Sequence, residues 1–122
     1  MKRKLLIIPA LISGLSIFAL PVNAIENRCG WLQNPTPANW WLTDRDGSWT
    51  ISAQGGYQAR GMDNIPPIGD REYVTTNGNY GYTCACLRVS TDRKQMRIIS
   101  IQSGNQLSLR TCSQDPNLPK TP

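Results

Sequence analysis

Short runs that alternate apolar and polar residues recur along the chain, and turn residues separate them. Residues 40–43 have the composition of a short strand, and residues 49–54 alternate with a period of two, which is typical of a half-buried strand. Between them, residues 44–47 end on Gly47, which can adopt the positive φ that a tight turn requires. The pattern therefore predicts a β-hairpin over residues 40–54.

The second half of the chain also consists of strand-like stretches separated by turns. Four stretches have strand character: residues 72–76, 82–90, 96–103 and 106–111. Turns are predicted at residues 77–81 and 91–94, and residues 104–105 separate the last two stretches. Residues 61–70 include Pro66 and Pro67 and show no periodicity, so we expect a loop there.

After residue 24, no stretch sustains the 3.6-residue period of a helix. The pattern predicts a small all-β domain of five or six strands, either an antiparallel sandwich or a partly open barrel. We expect this single β-rich domain to cover residues 25–115. The proline-rich residues 116–122 are predicted to be a disordered tail.

The first residues have the organisation of a targeting segment. Residues 2–4 are basic, residues 5–20 are almost entirely apolar, and the small residues Val22 and Ala24 follow. This is the pattern of a secretory signal peptide, residues 1–24, cleaved after Ala24. The apolar run is shorter than the roughly 20 residues that span a bilayer. An uncleaved membrane anchor is the alternative, and cleavage predicts a periplasmic or secreted protein.

Charge and composition exclude several classes of function. The chain has 13 basic and 8 acidic residues, a net charge of +5, and no histidine. Removing residues 1–24 leaves ten basic and eight acidic residues, so the net charge falls to +2 and no electrostatic case for nucleic acid remains. Without histidine, neither a Ser-His nor a Cys-His nucleophile nor an imidazole metal site is available.

Four cysteines in a short exported chain predict two disulfides. We expect Cys29 to pair with Cys84 or Cys86, and Cys112 to pair with the other, with a slight preference for Cys29–Cys84 and Cys86–Cys112. A bond between Cys84 and Cys86 would close a strained ring. A redox-active Cys-x-Cys pair would need an activated thiolate, and only Arg88 lies near enough in sequence to activate one.

The aromatic residues are concentrated in the first half of the mature chain, where all four tryptophans lie between residues 31 and 49. Trp40 and Trp41 are adjacent, and adjacent residues of a strand face opposite sides, so one of them is a candidate for exposure. The candidate binding residues are Trp40, Trp41, Tyr57, Tyr80 and Tyr82. The alternative is that Trp31, Trp49 and one of the pair form the core.

The acidic residues show no catalytic pattern. Asp44 and Asp46 flank a turn, but the other oxygen ligands of a calcium loop are missing. Asp63, Asp70 and Glu72 are the residues a carboxylate-dependent hydrolase would draw on, although their spacing does not indicate an acid/base pair. We therefore predict no catalytic residue, no metal site and no cofactor.

Several longer motifs carry a resemblance to a known family: Cys29-Gly30-Trp31 and residues 34–37, 40–47, 55–59 and 77–86. Together they resemble a bacterial family of small exported proteins, domain of unknown function 4087, marked by the Cys-Gly-Trp motif. The resemblance covers residues 29–115. It implies a single-domain exported protein and brings no established activity with it. The motif residues are Trp, Gly, Asn and Cys, which suit a disulfide-stapled fold or a binding face better than a reaction centre.

These observations predict a non-enzymatic binding or inhibitor-type protein. The expected partner is an envelope protein or a cell-wall glycan, with no nucleic acid and no stable membrane insertion after signal cleavage. The alternatives are a structural component of the cell envelope and a carboxylate-dependent envelope hydrolase.

Overall fold

The structure, a computed structural model, describes residues 24–122. The predicted signal segment therefore lies outside the described residues, apart from Ala24. Six strands and one short helix follow: β1 (Glu26–Thr36), β2 (Asn39–Asp44), β3 (Gly47–Ser52), β4 (Tyr73–Asn77), β5 (Tyr80–Asp92), β6 (Arg97–Leu107) and α1 (Leu109–Ser113). Two 3-10 turns, Met62–Asn64 and Asp70–Glu72, interrupt the long loop before β4. The all-β prediction is confirmed.

The sheet closes on itself. Its order is β1-β2-β3-β6-β5-β4, and β1 also pairs with β5, so five strands form a ring with β4 added beside β5. Of the two predicted architectures, the structure has the partly open barrel. The junction of this ring with the fewest backbone pairs is the one between β3 and β6, where a single parallel pair joins the strands. Beside it the chain bridges the gap, since Ala59 N donates to Ile51 O and Arg60 N donates to Ile99 O.

The predicted hairpins form where the sequence places them. β2 and β3 are joined by a turn at Gly47, which has a φ of 131°, and β4 and β5 by a turn at Gly78, which has a φ of 58°. Glycine adopts both conformations without steric cost.

The predicted separation of two strands at residues 104–105 is wrong, because β6 runs through these residues to Leu107. Gly104 lies opposite Leu87 of β5, and a Cβ there would lie 2.5 Å from the Leu87 side chain. The glycine serves close packing rather than a turn. The predicted strand at 106–111 is likewise replaced after Leu107 by α1, where the Ser108 side chain accepts a hydrogen bond from Thr111 N.

Two hydrophobic clusters lie on opposite sides of the barrel wall. The inner one fills the barrel and consists of Leu32, Leu42, Trp49, Ile51, Ala59, Ala85, Leu87, Val89, Ile98 and Ile101. The outer one, around Trp31, lies where α1 and the C-terminal tail cover β1 and β5.

The C-terminal tail departs from the prediction of disorder. Leu118 is buried in the outer cluster, and the Trp31 indole N–H donates to Pro119 O over 2.8 Å. The tail is ordered at these residues because it shields a tryptophan that points away from the barrel core.

The disulfides are Cys29–Cys86 and Cys84–Cys112. The predicted pattern, with Cys29 and Cys112 each joined to the central strand, is confirmed. The preferred pairing is wrong because the register of β1 against β5 places Cys29 opposite Cys86 and Trp31 opposite Cys84. No free cysteine remains for a redox pair among the described residues. Two disulfides fit an oxidising compartment.

Within residues 24–122, no helix has both the length and the apolar character needed to cross a membrane.

Candidate functional site

The two adjacent tryptophans of β2 face opposite sides of the barrel wall. Trp40 packs against the inner cluster, as does its neighbour in alternation, Leu42. Trp41 points outward and lies directly opposite Gln33 of β1 and Thr50 of β3. Both indoles are half-buried. Trp41 is thus the member of the pair whose ring faces away from the barrel core.

Hydrogen bonding separates the tryptophans in the same way. The Trp31 indole N–H donates to Pro119 O, and the Trp49 indole N–H donates to a buried Asp44 oxygen over 2.9 Å. Among residues 24–122 the indole N–H groups of Trp40 and Trp41 have no hydrogen-bond partner, and neither group is fully buried. Their N–H groups remain available to a ligand.

Three of the five predicted binding residues share one outer surface. Gln33 lies opposite Trp41 on one side and opposite Tyr82 of β5 on the other, and Tyr80 precedes Tyr82 by one full strand period. We call Gln33, Trp41, Tyr80 and Tyr82 the aromatic face. Because neighbouring strands lie about 4.8 Å apart, the backbones at Trp41 and Tyr82 are about 10 Å apart across the sheet.

The aromatic face is uncharged and partly fixed by its neighbours. The Gln33 amide donates to Thr43 Oγ1 over 2.8 Å, so its carbonyl oxygen faces elsewhere. The Tyr82 ring stands edge-on to Trp31, with a centroid distance of 5.4 Å and an interplanar angle of 87°. Rigid rings beside amide and hydroxyl groups form a surface suited to stacking and to hydrogen bonds with a neutral ligand.

The structure does not bring Tyr57 to this face. Its hydroxyl donates to Ile98 O over 2.8 Å, and the Arg97 guanidinium lies 4.5 Å above its ring. Both contacts lie at the junction of β3 and β6, so Tyr57 helps to close the barrel.

Trp40 belongs instead to a cavity at one end of the barrel, which we call the mouth cavity. It has a volume of about 210 Å³ and is lined by Leu32, Asn34, Trp40, Ile68, Asp70, Tyr73, Asn79 and Gly81. Five of these residues come from the loop before β4 and from the β4–β5 hairpin. Sequence reasoning named Trp40 and Asp70 but could not place them together, because the loop that joins them has no periodicity.

Two polar side chains that line the mouth cavity are fixed by hydrogen bonds to backbone carbonyls of the protein. The Asn34 amide donates to Thr36 O and Asn39 O, and the Tyr73 hydroxyl donates to Asn79 O over 2.7 Å. Burial raises the pKa of the Tyr73 hydroxyl above its usual value. Asn34 and Tyr73 therefore keep their oxygens for a ligand, while their donors are engaged.

A cluster of charges closes the other end of the barrel, about 20 Å away along β1. The Arg28 guanidinium pairs with Glu26 at 2.7 Å, Asp44 at 2.8 Å and Asp46 at 2.9 Å, and lies 4.1 Å from the centroid of the Trp49 ring. Burial lowers the pKa of Arg28, but the hydrogen bonds to the three carboxylates outweigh it and the pKa lies above its usual value.

The contact with Arg28 also changes the pKa of Asp46. The hydrogen bond from Arg28 holds the pKa of the Asp46 carboxyl below its usual value. The Asp44 carboxylate also accepts from Asp46 N over 2.9 Å, which is the turn geometry that the sequence predicts for residues 44–47. The cluster thus fixes the β2–β3 hairpin to β1.

The remaining candidate acids do not form a reaction centre. The Glu72 carboxylate accepts a hydrogen bond from Leu109 N over 2.8 Å and so holds the start of α1. Asp63 and Asp70 lie exposed in separate 3-10 turns. Among residues 24–122, no three His, Cys, Asp or Glu residues come together as metal ligands.

A family model described as Protein of unknown function (DUF4087) matches residues 23–119 of the chain. No curated protein and no solved structure matches it.

Proposed function

The chain belongs to the DUF4087 family of proteins of unknown function, and we propose that its exported domain is a non-catalytic binding module. Its ligand is a cell-wall glycan, and the aromatic face is the surface that binds it. The observation that carries this proposal is the row formed by Trp41, Gln33 and Tyr82 on the outside of three adjacent strands.

The chemistry of the row favours a sugar. An aromatic ring presents a negative face, against which the C–H groups of a sugar ring can stack. The Gln33 carbonyl and the hydroxyl groups of Tyr80 and Tyr82 can bond to sugar hydroxyls beside the stacked ring. Two rings about 10 Å apart favour an extended chain of sugars over a single unit.

The charge of the row argues against an anionic ligand. Nucleic-acid surfaces depend on lysine and arginine that neutralise phosphates, and the four residues of the aromatic face carry none. A neutral ligand does not require lysine or arginine at its binding surface. The rigid strand backbone beneath the rings also lowers the entropy cost of binding.

The proposal is tested by sedimentation of the disulfide-bonded protein, expressed from the full chain, with insoluble peptidoglycan and with chitin. We expect binding that is at least about tenfold weaker in Trp41→Ala and in Tyr82→Ala. Arg88→Ala is the matched control, because Arg88 lies exposed on the same face of β5 beyond the two cysteines, and we expect it to bind as the parent does. Heparin and duplex DNA should not compete.

Two results would overturn the proposal. Binding that is unchanged in both aromatic variants would remove the aromatic face from it. If the protein binds an envelope protein and has no affinity for peptidoglycan or chitin, a glycan is not its ligand. The non-catalytic part is tested on the same samples, where released reducing ends would contradict it.

A further inference from the structure

The mouth cavity contains groups that the aromatic face does not use. Trp40 and Tyr73 supply two aromatic rings, Leu32 and Ile68 supply apolar surface, and Asp70 supplies a carboxylate. We propose that this cavity binds an organic ammonium group. The site is separate from the aromatic face, since Trp40 and Trp41 lie on opposite sides of the barrel wall.

Charge is the first argument. The ion pairs among residues 24–122 all belong to Arg28, at the other end of the barrel, so Asp70 has no cationic partner in the described part of the chain. With its raised pKa, Tyr73 stays neutral at physiological pH. The lining residues therefore carry one formal charge, and it is negative.

Hydrogen-bonding capacity points the same way. Because Asn34 and Tyr73 donate to backbone carbonyls, each presents an oxygen that can only accept from a ligand. An ammonium group is a pure donor and meets this requirement. A carboxylate or phosphate would face the charge of Asp70 and would find these two donors already engaged, which leaves it the free Trp40 indole N–H described above.

The aromatic rings supply the third argument. A cation within about 6 Å of a tryptophan or tyrosine ring is attracted by the ring quadrupole, more strongly where water is partly excluded. Trp40 and Tyr73 are half-buried at the cavity wall, so a group between them is partly desolvated. Asp70 at the exposed rim attracts the cation, and the rings discriminate in its favour over a neutral group of similar shape.

Size limits the ligand to a small group. A volume of about 210 Å³ is below the roughly 300–1,000 Å³ of sites that enclose a drug-sized molecule. It suits the end of an alkylammonium chain. Such a group is supplied either by a free amine or by a lysine side chain of a partner protein.

The test uses n-butylammonium as the probe and the indole N–H signal of Trp40 in two-dimensional NMR spectra as the readout. We expect a saturable shift of that signal, with n-butanol and butyrate binding at least about tenfold more weakly. Asp70→Asn should weaken n-butylammonium by a similar factor and leave n-butanol unchanged. Asp63→Asn, which removes an exposed carboxylate from the other 3-10 turn, should bind as the parent does.

Several outcomes would overturn the inference. They are the absence of any saturable shift, equal affinity for n-butylammonium and n-butanol, and an Asp70→Asn variant that binds the cation as well as the parent does. A parallel titration with N-acetyl-lysine amide separates the two sources. Tighter binding than n-butylammonium assigns the cavity to a lysine of a partner, and equal binding assigns it to a free amine. Both support an ammonium site.

Discussion

Replacing Arg28 by methionine tests the strongest electrostatic feature of the fold. The substitution keeps an unbranched side chain over Trp49 but removes the guanidinium that three carboxylates share. The critical partner is Asp44, whose side chain is only 4% exposed and which would keep its charge without a cation. Breaking a buried ion pair on one side costs about 3–5 kcal/mol, because the remaining charge stays desolvated.

The expected magnitude lies at the lower end of that range. Asp44 retains two donors, the Trp49 indole N–H and the Asp46 backbone N–H. The carboxylates of Glu26 and Asp46 are 30% and 42% exposed, so water screens them when the cation is lost. We therefore expect Arg28→Met to lower the free energy of unfolding by about 3 kcal/mol.

Urea unfolding under non-reducing conditions measures this loss. With slopes of about 1–3 kcal/mol per molar for domains of this size, the midpoint should fall by about 1–3 M. Arg28→Met with Asp44→Asn is the companion variant, since it removes the stranded charge as well. It should be more stable than the sum of the two single effects by about 1 kcal/mol or more.

The reasoning would be refuted by a loss below about 1 kcal/mol in Arg28→Met, or by additive effects of the two substitutions. Either result would mean that water reaches Asp44 and screens it. Arg45→Met is the matched control, because Arg45 is exposed in the adjacent turn and makes no ion pair among the described residues.

Three further perturbations address other parts of the fold. Removing one disulfide with Cys84→Ala and Cys112→Ala should cost about 3 kcal/mol, measured by urea unfolding; an unchanged midpoint would contradict the entropic account of a cross-link spanning 28 residues. Gly30→Ala should cost at least about 1–3 kcal/mol or abolish folding, because a Cβ there strikes the Thr43 carbonyl; a parent-like melting temperature would show that β2 can move aside. The pKa of Asp46 is lowered in the folded protein, so its contribution to stability is present above its ordinary value of 3.8 and is lost as the pH falls through the lower folded value; stability should fall with acid more steeply in the parent than in Asp46→Asn, and parallel curves would contradict this.

The predicted elements that are confirmed are those determined by local sequence. The hairpins around Gly47 and Gly78 combine alternating residues with a glycine at a positive φ, and both signals lie within a few residues of each other. The sequence pattern does not predict strand β1, because the inward positions of this strand include Arg28 and Gly30, which break the apolar alternation. Arg28 is tolerated there because Asp44 of β2 and Asp46 of the following turn supplement the single carboxylate, Glu26, that β1 itself supplies.

The candidate site was predictable only in part, for a related reason. That Trp40 and Trp41 face opposite sides follows from strand geometry alone. Which of them faces outward depends on the partners of β2, and the link between Trp41 and Tyr82 depends on Gln33 lying between them. The mouth cavity needs a loop without periodicity to fold over the barrel end, and no local pattern encodes that contact.

The connectivity of the two disulfides has a consequence for how the bonds are made. The loop closed by Cys29–Cys86 and the loop closed by Cys84–Cys112 overlap in sequence at residues 84–86. Oxidation in order of appearance along the chain would join Cys29 to Cys84 and produce the wrong isomer. The native isomer requires either that β1 and β5 align before oxidation or that thiolate exchange follows it. A two-residue shift of β1 along β5 would place Cys29 opposite Cys84. The isomer with Cys29 joined to Cys84 would therefore fix this wrong strand register covalently.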